Sequence, residues 1–163
     1  MKTALLNITL AVLVSIFWTS SIPVAQDSAP SGWRRIDVEG KFSFYLPANM
    51  RDTGMKGIEN LHREYTNGRL YLSFDYKPPF HRAYENRTRA GKNFQETELQ
   101  VDGKKSFVFV YESKDRKNRR TYVAELNVGD LPNGEAIVWM TVTSRSPQAI
   151  QIANAIFRTL KIP

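Results

Sequence analysis

Cysteine is absent from all 163 residues. That excludes disulfide staples, thiolate metal sites, thiol nucleophiles and a lipidated N-terminal cysteine. Histidine is almost as scarce, with two copies, His62 and His81, so imidazole chemistry has at most two sources. The longest apolar run, Ala4 to Trp18, is fifteen residues and is broken by Asn7, Thr9 and Ser15. A membrane span needs about 20 apolar residues. The chain also lacks a G-x-S-x-G elbow, a phosphate-cradling glycine loop, an H-E-x-x-H pair, an EF-hand loop, an internal repeat and a low-complexity tract.

What the N-terminus does contain is a layout for export. Met1-Lys2 supply a positive charge, the apolar run follows, and Thr19-Ser20-Ser21 leads to a cut after Ala25. This is the n-, h- and c-region order of a secretory signal peptide. Residues 1–25 are therefore expected to be removed, and 26–32 (QDSAPSG) to form a short breaker-rich leader. Residues 33–163 form one domain, released soluble into the periplasm or the extracellular space. The whole chain is 42% hydrophobic and 12% aromatic, enough for that domain to rest on packing alone.

The net charge of +7 is concentrated in two blocks. Lys114, Arg116, Lys117, Arg119 and Arg120 stand against Asp115, and Lys77, Arg82, Arg87, Arg89 and Lys92 stand against Glu85. Blocks of this kind attract polyanions, or they are solvated loops.

From Trp33 onward the pattern is period two with regular turn signals. Trp33–Val38 and Phe42–Leu46 predict a hairpin about Glu39-Gly40, with Pro47 as its stop. Residues 58–66 are a weaker strand candidate, joined by Asn67-Gly68 to the clean alternation of Leu70–Tyr76. Residues 80–93 read as an irregular basic connection. Strands at Phe94–Val101, Lys105–Ser113, Arg120–Val128 and 135–143 follow. Two of them are apolar on both faces, so both faces of the sheet must be covered, the second by something in residues 47–93. Ser146 as cap and Pro147 as first helical residue introduce a four-turn helix with Ala149, Ile152, Ala153, Ile156, Phe157 and Leu160 on one side. The fold class expected is α+β, an antiparallel meander with a C-terminal amphipathic helix packed on it.

Trp33…Phe42-Ser43-Phe44-Tyr45-Leu46-Pro47, Val101-Asp102-Gly103-Lys104-Lys105 and Ser144-Arg145-Ser146-Pro147 leading into Ile156-Phe157-Arg158-Thr159-Leu160 resemble the PsbP/Mog superfamily. The likeness runs from Trp33 to Pro163. It implies a PsbP-like α/β/α sandwich and a non-enzymatic role as adaptor, chaperone or assembly factor. It carries no catalytic motif to this chain.

The residues themselves agree. His62-Arg63-Glu64 puts an imidazole and a carboxylate on one face of a strand, but the cysteines of a zinc deaminase are missing. His81 stands beside Arg82 in the basic connection. The carboxylates Asp37, Glu39, Asp52, Glu59, Glu64 and Asp75 cannot be paired from sequence. No catalytic residue, metal site or cofactor is assigned. The expected function is a non-catalytic exported accessory or assembly domain that binds a partner protein. The alternative is a binder of acidic glycans or anionic lipid through Lys114, Arg116, Lys117, Arg119, Arg120, Arg82, Arg87, Arg89 and Lys92. Nucleic acid is not expected outside the cell, although Tyr111 and Tyr122 flank one block and Phe80 and Tyr84 lie in the other. A small hydrolase is the residual reading. Asn86-Arg87-Thr88 is a glycosylation sequon, of consequence only in a eukaryotic host.

Overall fold

Alternating side chains build most of the elements in a computed structural model that describes residues 29–57, 61–77, 91–130 and 135–163. Strands β1 (Trp33–Val38) and β2 (Phe42–Pro47) form a separate hairpin. It reverses through Glu39 and Gly40 at φ 53° and 66°, with Asp37 Oδ1 accepting from Gly40 N at 2.9 Å. Seven further strands make one antiparallel sheet: β3 (Arg51–Lys56), β4 (Leu61–Thr66), β5 (Leu70–Tyr76), β6 (Lys92–Val101), β7 (Lys104–Lys114), β8 (Arg120–Asp130) and β9 (Glu135–Ser144). Their spatial order is β3-β4-β5-β9-β8-β7-β6. The meander is thus two meanders, joined where β5 pairs with β9 along Leu70↔Ser144 to Tyr76↔Val138.

Helix α1 (Ala149–Arg158) and the β1–β2 hairpin cover one face of the sheet. That face carries Leu70, Leu72 and Phe74 of β5, Val138, Met140 and Val142 of β9, and Ala124, Leu126 and Val128 of β8, all buried. Phe42 and Phe44 close over Phe74 edge-on, with ring centroids 5.1 and 5.7 Å away. From the helix come Ala149, Ala153, Ile156 and Phe157. Burying side chains of this size contributes about 1.5–3 kcal/mol each.

The helix is shorter than its sequence pattern. Its N-cap is Gln148, without a side-chain cap bond. Ser146 and Pro147 instead accept, through their carbonyls, from Ala149 N and Ile150 N at 3.1 Å each. These are i to i+3 bonds, so the entry is a tight turn, and the expected cap and first residue lie before the helix. Ile152, expected on the apolar face, is 38% exposed. Strand β3 was not anticipated, because Arg51-Asp52-Thr53-Gly54-Met55-Lys56 does not alternate and is exposed throughout. Its pairing with β4 shifts register between Asp52 and Lys56, around Gly54 at φ 80°.

Strands β7, β8 and β9 extend one or two residues beyond the pattern, to Lys114, Asp130 and Ser144, and β6 starts two residues early at Lys92. The irregular connection expected at 80–93 lies outside the described residues as far as residue 90, and so do residues 131–134. No described helix is long and apolar enough to cross a membrane.

Candidate functional site

Two clusters of polar side chains stand out. The first lies on the sheet face turned away from α1. Strand alternation places His62 and Glu64 together on β4, and register sets His62 opposite Asp75 on β5. His62 Nδ1 is 3.0 Å from Asp75 Oδ1, and His62 Nε2 is 3.2 Å from Glu64 Oε1. Thr53 of β3 donates to Glu64 Oε2 at 3.4 Å, and the Tyr71 hydroxyl hydrogen-bonds Glu64 as well. Burial alone would lower the imidazole pKa. The hydrogen bonds and charges of Glu64 and Asp75 outweigh it and leave His62 above its ordinary 6.5. Glu64 moves the other way: its burial opposes ionisation, and the bonds from Tyr71 and His62 prevail to lower its pKa. Burial, together with the bond to Glu64, pushes the Tyr71 phenol above its usual range.

An imidazole that donates from both nitrogens is an imidazolium. It has no lone pair for a proton or a metal. Among the described residues no three histidine, aspartate or glutamate side chains are grouped to hold a metal ion. The cluster is therefore an ion-paired clamp between β4 and β5. Sequence reading put His62 and Glu64 on one face. Asp75 joins them only through the β4–β5 register.

The second cluster is basic. Register runs Leu70↔Ser144, Ser144↔Tyr122, Tyr122↔Glu112 and Glu112↔Lys92 across β5, β9, β8, β7 and β6. Arg69, Arg145, Arg120, Lys114 and Lys92 therefore stand in a row at one end of five adjacent strands. At about 4.8 Å per strand the row spans about 19 Å. Arg116, Lys117 and Arg119 project from the β7–β8 turn beside it. All eight bases are exposed. With only Glu112 and Asp115 among them, this end carries a net +6 of the chain's +7.

Asp115 organises the turn. Its Oδ1 accepts from Lys117 N and Arg119 N at 2.9 Å each, and its Oδ2 from Arg119 Nε at 2.8 Å. The Arg119 side chain and these backbone donors hold the Asp115 pKa down to about 2. Arg145 reaches the same carboxylate at 3.9 Å, and Arg120 pairs with Glu112 at 3.4 Å. Where the block is read as a solvated loop, Arg119 and Arg120 depart from that reading, since both have ordered carboxylate partners. Arg69, Lys92, Lys114, Arg116 and Lys117 make no ion pair among the described residues.

The second sequence block does not travel as a unit. Lys92 joins the row, whereas Lys77 stands at the other end of the sheet, its N–H bonded to Ile137 O at 2.9 Å. Arg82, Arg87 and Arg89, like His81 and Glu59, lie outside the described residues. Arg69 and Arg145 were missed by sequence reading. Ser144 brings them together, its hydroxyl donating to Arg69 O at 2.8 Å and accepting from Ser146 N at 3.1 Å.

No family model and no curated protein matches this chain. Among solved structures it is similar to the Ran-binding protein Mog1p of Saccharomyces cerevisiae, at 9% identity and a TM-score of 0.55, over 80% of this chain and 95% of that one. It also matches LpqN of Mycobacterium tuberculosis, described as involved in cell envelope biogenesis, at 10% identity and a TM-score of 0.41, over 83% and 82% of the two chains. The Mog1p likeness establishes the fold: the chain has the Mog/PsbP-type arrangement of antiparallel sheets with a C-terminal helix.

Proposed function

We propose that the chain is a non-catalytic accessory or assembly domain, exported by residues 1–25, which binds a partner protein at its basic end. The observation that carries this reading is the row from Arg69 to Lys92. Its five exposed bases over about 19 Å, with three more on the adjoining turn, have the extent of a macromolecular contact rather than a small-molecule pocket. Five of the eight have no ion pair to break on binding among the described residues. The partner surface is acidic by complementarity, which steers encounter and fixes orientation.

The doubly engaged His62 supports the absence of catalysis, since the best placed imidazole is already committed. That Mog1p binds Ran supports a protein ligand on this scaffold. An α/β/α sandwich is part of the same reading. Phe109, Glu125 and Asn127 are buried on the face opposite α1, and Gly91 lies against the Tyr111 ring, both of which support a covered second face.

A second reading, an acidic glycan or anionic lipid at the same end, rests on the same net charge. Calorimetry of the mature protein separates the two with polyglutamate, heparin and anionic vesicles in a salt series. Saturable binding of the acidic polypeptide that weakens with salt, beside weaker binding of glycan and vesicle, supports the protein reading. The reverse order transfers the site to a polyanion. No binding of any of the three at low ionic strength removes the basic end as a binding surface.

A further inference from the structure

We infer that a small cavity between the β1–β2 hairpin and the end of α1 binds a phosphate group. The cavity, about 250 Å³, is lined by Ala29, Arg35, Ser43, Tyr45, Arg158, Thr159 and Lys161. Its three cations come from three segments: Arg35 from β1, Arg158 from the last turn of α1, and Lys161 from the tail beyond it. It is separate from the basic row, because Lys161 pairs with Asp102 of the β6–β7 turn, at the opposite end of the sheet from Lys92 and Glu112.

The walls are tied together without a ligand. Ser43 N donates to Lys161 O at 2.9 Å, Lys161 N to Ser43 O at 2.8 Å, and Tyr45 N to Thr159 Oγ1 at 2.9 Å. Thr159 Oγ1 in turn donates to Ile156 O at 2.7 Å, so this hydroxyl is spent on structure. Ser43 is different. Its Oγ accepts from Arg35 Nη2 at 3.1 Å, which orients the guanidinium and leaves the hydroxyl proton free to donate. Arg158 makes no hydrogen bond or ion pair among the described residues, and the Tyr45 hydroxyl has no partner there either. Arg35 lies 3.9 Å from Asp37, and Lys161 3.6 Å from Asp102. These are exposed pairs of little strength, which an incoming anion can outcompete.

An arginine in the last turn of a helix is ordinarily there to complement the C-terminal partial charge. Here two of the terminal carbonyls already have partners, with Thr159 N bonded to Ile156 O and Leu160 N to Phe157 O. That account also says nothing of Arg35 and Ser43, which the hairpin supplies. One planar guanidinium fork satisfies a carboxylate. Three cations from three segments lining one cavity, with the Ser43 hydroxyl among them, suit a tetrahedral, multiply charged oxyanion, and the cavity leaves room for the small alcohol esterified to it.

The test uses the mature protein and a control variant in which Arg116 and Lys117 of the basic end are replaced by serine. Ligands are inorganic phosphate, glycerol phosphate and phosphatidic acid vesicles, with acetate at matched ionic strength. Inorganic phosphate is expected to bind wild type and control variant alike, and more tightly than acetate does. Arg158→Gln is expected to weaken it about tenfold, the effect of losing one charge-assisted hydrogen bond. With inorganic phosphate bound, added binding of glycerol phosphate in solution identifies a free phosphate ester, and added binding of vesicles but not of glycerol phosphate identifies a lipid headgroup. Either supports the site if Arg158→Gln reduces it. Equal binding of phosphate by wild type and Arg158→Gln, acetate matching phosphate, or loss in the control variant alone would overturn the inference. Arg158 is exposed and has no bonded partner among the described residues, so its replacement is expected to leave the fold intact.

Discussion

The His62 ring stands 3.0 Å from Asp75 on the neighbouring strand while its other nitrogen stands 3.2 Å from Glu64. Two carboxylates thus share one imidazolium on a sheet face where all three side chains are less than a third exposed. Removing the proton leaves a ring nitrogen lone pair facing a carboxylate oxygen. Stability is therefore coupled to pH through this pair.

Because the folded-state pKa of His62 is raised above 6.5, its contribution is complete below the unfolded value. It is lost as pH rises through the folded value. Urea denaturation of wild type and His62→Gln should show the largest difference near pH 6 and a shrinking one toward alkaline pH. A difference that is constant or grows with pH contradicts the imidazolium clamp. Ring nitrogen shifts at neutral pH should report both nitrogens protonated.

The apolar side of α1 is narrower than its sequence pattern. Ile156 is fully buried and Ile152 is 38% exposed. Ile156→Ala should cost about 2–5 kcal/mol and Phe157→Ala about 3–5 kcal/mol. Ile152→Ala should cost less than about 1 kcal/mol, and Arg158→Ala should fall within about 0.5 kcal/mol of wild type. Chemical denaturation of the four variants checks the phase of the helix, and equal costs at positions 152 and 156 would show it to be wrong.

The β7–β8 turn depends on one carboxylate. Asp115→Ala removes the acceptor for Lys117 N and Arg119 N, so amide exchange at those two positions should accelerate and thermal stability should fall. The Asp115 pKa is depressed to about 2, so its support is present at neutral pH and is lost only as pH falls from about 4 toward 2. Replacing Arg116 and Lys117 by serine should leave the melting temperature nearly unchanged, whereas replacing Arg119 and Arg120 should lower it. A uniform response across the four positions contradicts the pairing.

Gly91 is fixed by a neighbour and not by its own dihedral angles. A Cβ there would sit 2.7 Å from Tyr111 Cδ2 and 2.9 Å from Tyr111 Cβ, closer than van der Waals contact allows. Gly91→Ala should destabilise by about 1–3 kcal/mol through overpacking, read as a lowered denaturation midpoint. An unchanged midpoint would mean that the chain at 91 does not press on the sheet.

Local patterns were legible where each strand alternates beside its own turn signal. Phe42, Phe44 and Leu46, then Leu70, Leu72 and Phe74, and then Tyr122, Ala124, Leu126 and Val128 could be placed on one face before any coordinates. Strand β3 was hidden because Thr53-Gly54-Met55 buries nothing and bulges, so it leaves no periodic trace. The helix start was misplaced because Ser-Pro opens a tight turn as readily as a helix. Pairing of β5 with β9 was beyond reach, since it joins residues some seventy positions apart and no local preference encodes it. For the same reason the basic block at 114–120 was found while Arg69 and Arg145, brought beside it only by that pairing, were not. The clamp shows the same limit: His62 and Glu64 share a face by alternation, while Asp75 needs the register.

The proposed function requires the basic end to be the contact for a partner protein. Photo-crosslinking in the native host tests this most directly, with a photoreactive side chain at Arg116 or Arg69 and a control at Lys104, beside the β6–β7 turn at the opposite end of the sheet. The account predicts one discrete protein adduct from positions 116 and 69, weakened by added salt and absent from position 104. Adducts only from position 104, or none to protein from either basic-end position, would contradict it.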